Sequence, residues 1–163
     1  MSEQPSGTDT TLAIAAARAA GIPFDVMRTQ RARSAEESAQ LQGIELQQLL
    51  RTIVVRRGEN DYVFVLVPGG RRIDWAKLRA QLGVRRSSLP DADEAREATG
   101  YERGAITPFG ATTAWPVIVD ASVEPGTTVA IGGGAHGVNL HVRAEDLIAA
   151  TKAETVDVTE PEA

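Results

Sequence analysis

Three consecutive glycines are the clearest candidate in the chain for binding an anion. In IGGGAHGVNL, Gly132, Gly133 and Gly134 lie between two apolar runs, and His136 and Asn139 follow closely. Backbone N–H groups in such a stretch can converge on a negatively charged oxygen, because no Cβ blocks the approach. The spacing matches neither a dinucleotide-binding GxGxxG loop nor a phosphate-binding loop that ends in GK[ST]. A glycine-rich hairpin turn is the alternative interpretation.

A second candidate is the loop TGYERGAITPFG at residues 99–110, which is too broken for a helix and too apolar for a solvated loop. Gly104 permits a close approach or a backbone conformation that a Cβ would forbid, and Pro108 restricts the exit of the loop. Ile106 and Phe109 supply apolar anchors. A plain turn between a helix and a strand is the alternative here.

Charged and titratable side chains add few further candidates. Arg51 opens an otherwise β-branched run, where an edge-strand arginine that reaches solvent is the ordinary alternative. His136 and His141 are the only histidines, and the lack of an evident third ligand disfavours zinc. The chain has no cysteine and no G-x-S-x-G sequence, which excludes thiolate chemistry and leaves a serine nucleophile without support.

The composition predicts one compact, soluble domain. The chain has 163 residues, of which 42% are hydrophobic, enough for one core. No secretory signal or membrane-spanning segment is recognisable, so we expect no membrane partner. The absence of cysteine is compatible with a reducing cytoplasm, the expected location.

Charge is distributed unevenly along the chain, although its formal net value is −5. Between Arg18 and Arg86 there are 13 basic and 7 acidic residues, whereas the remainder has 4 basic and 15 acidic residues. This asymmetry permits an anionic partner on one face, and a merely solvated surface is the alternative. The candidate contacts to such a partner are Arg31, Arg33, Arg56, Arg57, Arg71 and Arg72.

Capping and periodicity signals divide the chain into helices and strands. Helices are predicted for TLAIAAARAAG, SAEESAQLQG, IDWAKLRAQLG, DADEAREATG and the stretch that starts near Ala144. Strands are predicted for IPFDVMRT, WPVIVD, TTVAIGGG and NLHVR, and TIVV and YVFVLV are predicted to form a hairpin across GEND.

The order of these elements lacks the regular alternation of a doubly wound fold. The predicted class is therefore α+β, a single domain with a central mixed, largely antiparallel, barrel-like β-sheet flanked by helices. The domain is expected over residues 10–153. Residues 1–9 are expected to form a disordered N-terminal tail and residues 154–163 a frayed acidic C-terminal tail.

In combination, these stretches resemble the YbaK family, the prolyl-tRNA editing-domain superfamily of trans-acting aminoacyl-tRNA deacylases. The resemblance covers roughly residues 10–155 and rests on SAEESA, LLRTIVV, ATGYERGAITPFG, and GGGAHGVNL followed by AEDL. The GY…GxxxPxG block at residues 100–110 is the most specific part.

The resemblance implies a pocket for the aminoacyl group at the 3′ end of tRNA. Backbone N–H groups of the glycine-to-proline loop would hold the ester and polarise its carbonyl, a chemistry that needs few ionisable groups. The glycines at residues 132–134 would let the backbone approach the terminal adenosine. The implied site residues are Arg51 and Gly104 for catalysis, and Ala105, Ile106, Thr107, Pro108, Gly132, Gly133, Gly134, His136 and Asn139 for substrate binding, with no metal and no cofactor.

Two positions depart from the family pattern. Arg51 replaces the characteristic lysine, and Asn139 replaces the aspartate that many members carry. Arginine does not release its proton in proteins, so Arg51 cannot serve as a general base. It can hold the 3′-terminal phosphate or the developing oxyanion by two parallel hydrogen bonds. The attacking water would then be oriented by backbone groups and by the ribose hydroxyl of the substrate.

The predicted function is the hydrolysis of mischarged tRNA that carries a small amino acid: alanine, serine, threonine or cysteine, with tRNA for proline as a candidate carrier. A second sieve is a separate hydrolytic site that removes wrongly attached amino acids. It is useful because a synthetase pocket separates substrates that differ by one methylene by only about 1–3 kcal/mol. The alternative is a catalytically silent module that binds aminoacylated tRNA ends or partners an aminoacyl-tRNA synthetase. The sequence leaves the oligomeric state open.

Overall fold

The computed structural model describes residues 10–162, which form five helices and nine strands. The helices are α1 (Leu12–Ala19), α2 (Ala35–Gln42), α3 (Trp75–Leu82), α4 (Ala92–Thr99) and α5 (Ala144–Thr151), with a 3₁₀ turn at Leu46–Gln48. The strands are β1 (Asp25–Arg28), β2 (Leu50–Gly58), β3 (Asp61–Pro68), β4 (Arg71–Ile73), β5 (Val117–Asp120), β6 (Thr128–Gly132), β7 (Val138–Arg143), β8 (Glu154–Val156) and β9 (Thr159–Pro161). The predicted tail at residues 1–9 lies outside the described residues.

The helix boundaries follow local chemistry. Side chains that accept a hydrogen bond from a backbone N–H of the first turn cap four helices, and these caps are Thr11, Ser34, Asp74 and Asp91. Left-handed glycines end three helices, at Gly43, Gly83 and Gly100. A glycine is suited to this position because it has no Cβ to strain the left-handed conformation. The predicted helix starts are therefore confirmed.

The strands form three sheets among the described residues, in the orders β1-β7-β6, β2-β3-β5-β8 and β4-β9. The predicted β2–β3 hairpin is confirmed, and β3–β5 and β5–β8 are parallel pairs within an otherwise antiparallel arrangement. The mixed α+β class is thus confirmed. The single barrel-like sheet is not, because only an isolated bridge between Leu49 and Ala130 connects the first two sheets.

Strand β3 separates two apolar clusters and is buried almost throughout. The larger cluster includes Phe64 and Leu66 from β3 and packs against α1, β6, β7 and α5. The smaller cluster includes Val63, Val65 and Leu78, and it lies on the side of α3. Strand β2 lies at the edge of its sheet, so one of its two sides does not pair with a full strand. That side forms one wall of a cleft.

The predicted C-terminal fray is wrong. Residues 154–161 add β8 beside β5 and pair β9 with β4, and Val158 and Thr159 are completely buried. The cause is Asp120, a buried carboxylate at the end of β5 that accepts hydrogen bonds from the backbone N–H of Val158 and of Ser122. The polar, acidic composition of the segment does not reveal this anchor, because the bonds come from a carboxylate far away in the sequence.

The hydrogen bonds of Asp120 lead us to expect that acid destabilises the C-terminal segment. Burial alone would raise the pKa of this carboxyl, but hydrogen bonds from the Ser122 hydroxyl and from the backbone of Val158 and Ser122 outweigh it and lower the pKa. The unfolded chain has a pKa of about 3.9 for aspartate. The stabilisation is therefore present above about pH 4 and is lost as the pH falls through the lowered value in the folded state.

We expect Asp120→Asn to lower the free energy of unfolding at pH 7 by about 1.5–3 kcal/mol, the range for hydrogen bonds to a charged group. Denaturant unfolding at pH 7 and at decreasing pH measures this, with the exposed Glu124→Gln as the control for loss of one charge. An equal loss in both variants would contradict the anchoring role of Asp120.

Candidate active-site pocket

A pocket of about 490 Å³ opens along the edge of β2. Its walls come from four separate parts of the chain, so only the folded protein creates it. The lining consists of residues 29–35 with Ser38, residues 49–53, Gly104 with Ile106, and Gly132 with residues 135–139.

The β2 wall supplies polar groups that lack partners. Arg51 donates from Nη2 to the backbone carbonyl of Arg71 at 2.6 Å, while its Nε is buried without a hydrogen-bond partner among residues 10–162. The Thr52 Oγ1 is likewise buried without a partner in that part of the chain. Buried polar atoms are normally hydrogen-bonded, so these two atoms have a hydrogen-bonding capacity that the described residues leave unused.

The loop that follows α4 is held by its apolar and aromatic residues. Phe109 is buried in the larger cluster, and the Tyr101 hydroxyl donates to its carbonyl oxygen at 2.6 Å. Burial raises the pKa of Tyr101 to about 12, so this phenol stays a protonated donor at physiological pH. The anchoring expected of Phe109 is therefore present.

Gly104 occupies a position that only glycine fits without strain. Its φ is +90°, and a Cβ there would lie 3.0 Å from Cε1 of His136 and 3.4 Å from Nδ1 of the same ring. The Nε2 of His136 lies 3.8 Å from a carboxylate oxygen of the exposed Glu102. The glycine thus leaves room for an imidazole at the pocket wall.

The two glycine-containing loops of the sequence meet at this pocket. A Cβ on Gly132 would lie 3.2 Å from the carbonyl oxygen of Ile106, so the backbones of the two loops are in near contact. Asn139 pairs with Gly132 across the β6–β7 ladder and also lines the pocket. The structure therefore brings together Arg51, Gly104, Ile106, Gly132, His136 and Asn139.

Five of the predicted substrate-binding residues are not in the pocket lining. Ala105 and Thr107 are buried, and Pro108 is half-buried, so they support the loop from within. A Cβ on Gly133 would meet Val138 at 2.6 Å, and one on Gly134 would meet α1 and Tyr101. Contact between these five residues and a substrate stays a prediction.

The second histidine serves a different part of the molecule. The Nε2 of His141 lies 2.9 Å from Oε1 of the buried Gln42, which ties β7 to α2. Burial lowers the pKa of His141, and Asp25 opposes that effect only in part. His141 is therefore a neutral packing residue near neutral pH.

Residues 29–38 form a wall of the pocket that was not among the predicted site residues, although Arg31 and Arg33 were predicted as contacts to an anionic partner. Thr29 continues from β1 and donates its N–H to the carbonyl of Gly137 at 2.8 Å, which brings the segment against the second loop. Arg31 and Arg33 then line the pocket just before the cap of α2. The signal available in the sequence was two arginines directly before a capping box.

The chain matches a known protein family over most of its length. The sequence pattern of the aminoacyl-tRNA editing domain matches residues 29–150, which include all four walls of the pocket. The chain belongs to the aminoacyl-tRNA editing domain family. This confirms the predicted family and the predicted class of enzyme, an aminoacyl-tRNA hydrolase.

Relatives of the editing-domain chain occur both alone and within larger enzymes. It is 23% identical over 129 residues to a protein of Enterococcus faecalis provisionally named a Cys-tRNA(Pro)/Cys-tRNA(Cys) deacylase, with 79% of each chain covered. It is 30% identical over 122 residues to the proline–tRNA ligase of Xanthomonas campestris pv. campestris strain 8004, covering 75% of this chain and 22% of the ligase. The chain thus spans about a fifth of the length of such ligases.

The fold is also shared with a crystal structure provisionally described as a trans-editing enzyme for prolyl-tRNA synthetase. The TM-score is 0.82 at 27% identity, and the match covers 98% of this chain and 99% of that one. Within residues 10–162, no helix combines the length and apolar character that crossing a membrane requires.

Proposed function

We propose that this editing domain is a trans-acting deacylase that hydrolyses the ester of mischarged tRNA carrying a small amino acid. The observation that carries the proposal is the convergence of Arg51, Gly104, Ile106, His136 and Asn139 on one pocket. The relatives named for deacylation of Cys-tRNA and for prolyl-tRNA charging support the substrate class and tRNA for proline as a carrier. A cytoplasmic location follows from this substrate.

The chemistry assigned to the pocket is an attack by water on the ester carbonyl. A bond forms between the water oxygen and the carbonyl carbon, the bond from that carbon to the ribose oxygen breaks, and the ribose oxygen takes up the proton. Arg51 stabilises the developing oxyanion or holds the 3′-terminal phosphate, since a guanidinium offers several fixed donors. Backbone groups and the neighbouring ribose hydroxyl orient the water.

The apolar lining limits the size of the amino acid. Ile106 is the large apolar side chain of the glycine-to-proline loop that lines the pocket, and it also packs on the larger core cluster. Its position between Gly104 and Gly132 favours alanine, serine, threonine or cysteine over longer side chains. A pocket of this kind discriminates by steric exclusion, which is the logic of a second sieve.

Ile106→Ala is expected to widen the range of amino acids that are hydrolysed. The cavity left by the lost side chain should admit larger acyl groups and raise their kcat/KM relative to alanine by about tenfold, since one methylene in an apolar pocket contributes about 1–3 kcal/mol. Hydrolysis of matched tRNAs charged with alanine, valine and leucine measures this. Ile148→Ala is the control, because Ile148 is also partly buried against the larger cluster but lies outside the pocket lining. A uniform fall in rate across the three substrates would contradict a sieving role for Ile106.

One contact favours a second candidate function. Because Nη2 of Arg51 is engaged with the carbonyl of Arg71, the arginine is partly committed to holding β2 against β4. This fits a silent module that binds aminoacylated tRNA ends or partners a synthetase. Turnover against a panel of tRNAs charged with small amino acids separates the candidates: catalytic release of the amino acid supports the deacylase, and stoichiometric binding without release supports the module.

A further inference from the structure

A second concave surface lies at the other end of β2 and has no part in the ester pocket. It is a groove of about 570 Å³, and its cationic side chains are Arg56, Arg57, Arg79, Arg85 and Arg86. Glycine and serine make up the rest of its lining. We propose that this arginine groove binds the phosphodiester backbone of the RNA whose 3′ end occupies the pocket.

The groove exists because the chain after α3 returns to the free edge of β2. The N–H of Arg56 donates to the carbonyl of Ser88 at 2.8 Å, and the N–H of Ser88 donates to the carbonyl of Arg56 at 3.1 Å. This isolated antiparallel bridge fixes the preceding Arg85 and Arg86 beside β2. Arg79 reaches the same groove from the last turn of α3.

Charge in the groove is only partly neutralised. Arg57 pairs with Asp61 at 2.8 Å, and Nε of Arg56 lies 3.3 Å from Glu94. The side chains of Arg79, Arg85 and Arg86 make no hydrogen bond or ion pair with any residue in the described range. Three guanidinium groups without an acidic partner among the described residues thus line one groove, although the formal net charge of the chain is −5.

A polar atom in the groove also lacks a partner. The hydroxyl oxygen of Ser87 is buried and accepts or donates no hydrogen bond within residues 10–162. The neighbouring arginines of the groove can hold a phosphate, because guanidinium groups bind phosphate through paired N–H donors, and rotation of the Ser87 side chain would bring its hydroxyl to the same anion.

The lining argues for a polyanion rather than a protein. A protein interface needs a buried apolar centre, and the groove contributes no apolar side chain. The arginines are also spread over β2, α3 and the segment before Ser88, which suits successive phosphates better than one small anion.

The placement of the groove suits the substrate of the pocket. Ile53 lines the pocket and Arg56 lines the groove, so roughly 10 Å of strand separates the two sites at about 3.3 Å per residue. A few nucleotides span that distance. The inference rests on the proposed function in taking RNA as the polyanion, but it requires no hydrolysis.

The test compares two double variants that each remove two exposed charges. Arg85→Gln/Arg86→Gln alters the groove, and Arg18→Gln/Arg96→Gln alters two exposed arginines outside both lining sets. The measurement is the Kd for uncharged tRNA and for the trinucleotide CCA, over a range of salt concentrations. Each lost phosphate contact should lower the slope of log K against log salt by about 0.7–0.9.

We expect the groove variant to bind tRNA about tenfold more weakly at 0.1 M salt and with a slope lower by about one to two, while CCA binding is unchanged. The control variant should match the native protein. Equal tRNA affinity in the two variants would overturn the proposal. Binding of inorganic phosphate or polyglutamate that is lost in the groove variant, with tRNA binding unchanged in that variant, would overturn it in favour of a small anion or an acidic peptide.

The same measurements separate failure of the groove from failure of the deacylase. Uncharged tRNA has no ester, so a groove-dependent Kd stands even if no charged tRNA is hydrolysed. Conversely, the native protein could hydrolyse charged tRNA while the groove variant binds tRNA with the same Kd as the native protein. That result would overturn the groove proposal alone.

Discussion

Arg51→Ala is expected to slow the hydrolysis of mischarged tRNA by roughly ten- to over a hundredfold. A charge-assisted hydrogen bond contributes about 1.5–3 kcal/mol, and about 1.4 kcal/mol corresponds to a tenfold change in rate. Arg51 lines the pocket and keeps a buried Nε without a partner among the described residues. Single-turnover hydrolysis of one verified mischarged tRNA measures the loss.

Arg51→Lys serves as the matched variant. It keeps the positive charge and loses the paired donors, so it should retain a substantial part of the activity. Because Arg51 also donates to the carbonyl of Arg71, the melting temperature of each variant must be compared with that of the native protein. Unchanged turnover in a folded Arg51→Ala protein would show that the side chain only supports the strand.

Arg51 is expected to contribute no inflection to the pH profile of the rate. A lysine can lose its proton in a buried site, whereas arginine remains charged throughout the range in which proteins are folded. The measurement is the rate of the native protein and of the Arg51→Ala variant between pH 6 and 9. Every inflection in the native profile should also be present in the profile of the variant.

Much of the fold could be predicted because its signals are local. Ser34 with Glu37, and Asp74 with Gly83, mark helix ends within a few residues, and the hairpin needs only two β-branched runs around GEND. The convergence of Arg51, Gly104 and Gly132 came from resemblance, since spacing alone does not place three distant segments in one cleft.

The remainder depends on contacts between distant residues that no local pattern encodes. The C-terminal strands are held by Asp120, 38 residues before Val158. The wall at residues 29–38 reaches the pocket through the bond from Thr29 to Gly137. In each case long-range hydrogen bonds help to position a polar segment whose composition is typical of a loop.

These long-range contacts connect the C-terminal segment to the pocket. Arg71 donates from Nε to the Thr159 hydroxyl at 2.6 Å, and its carbonyl accepts from Arg51. The β4–β9 pair therefore lies directly behind the guanidinium that we assign to the substrate. Residues 154–161, which have the composition of an acidic tail, thus support the polar wall of the pocket.

Gly104→Ala is expected to reduce hydrolysis by about ten- to a hundredfold, the cost of a small misplacement of reacting groups. The added Cβ would lie 3.0 Å from Cε1 of His136, so the ring or the loop backbone must shift at the pocket wall. The φ of +90° adds backbone strain of about 1–2 kcal/mol for any residue with a Cβ.

Gly126→Ala separates these two effects. Gly126 has a φ of +89° in an exposed turn, and a Cβ there meets nothing within 4 Å. The two variants should therefore lose similar free energy of unfolding, while only Gly104→Ala should lose turnover, measured on the same charged tRNA. If both variants keep the native rate, residues 99–110 form a turn whose glycine serves the backbone alone. If both lose rate in proportion to stability, the effect is global and the role assigned to Gly104 in hydrolysis is wrong.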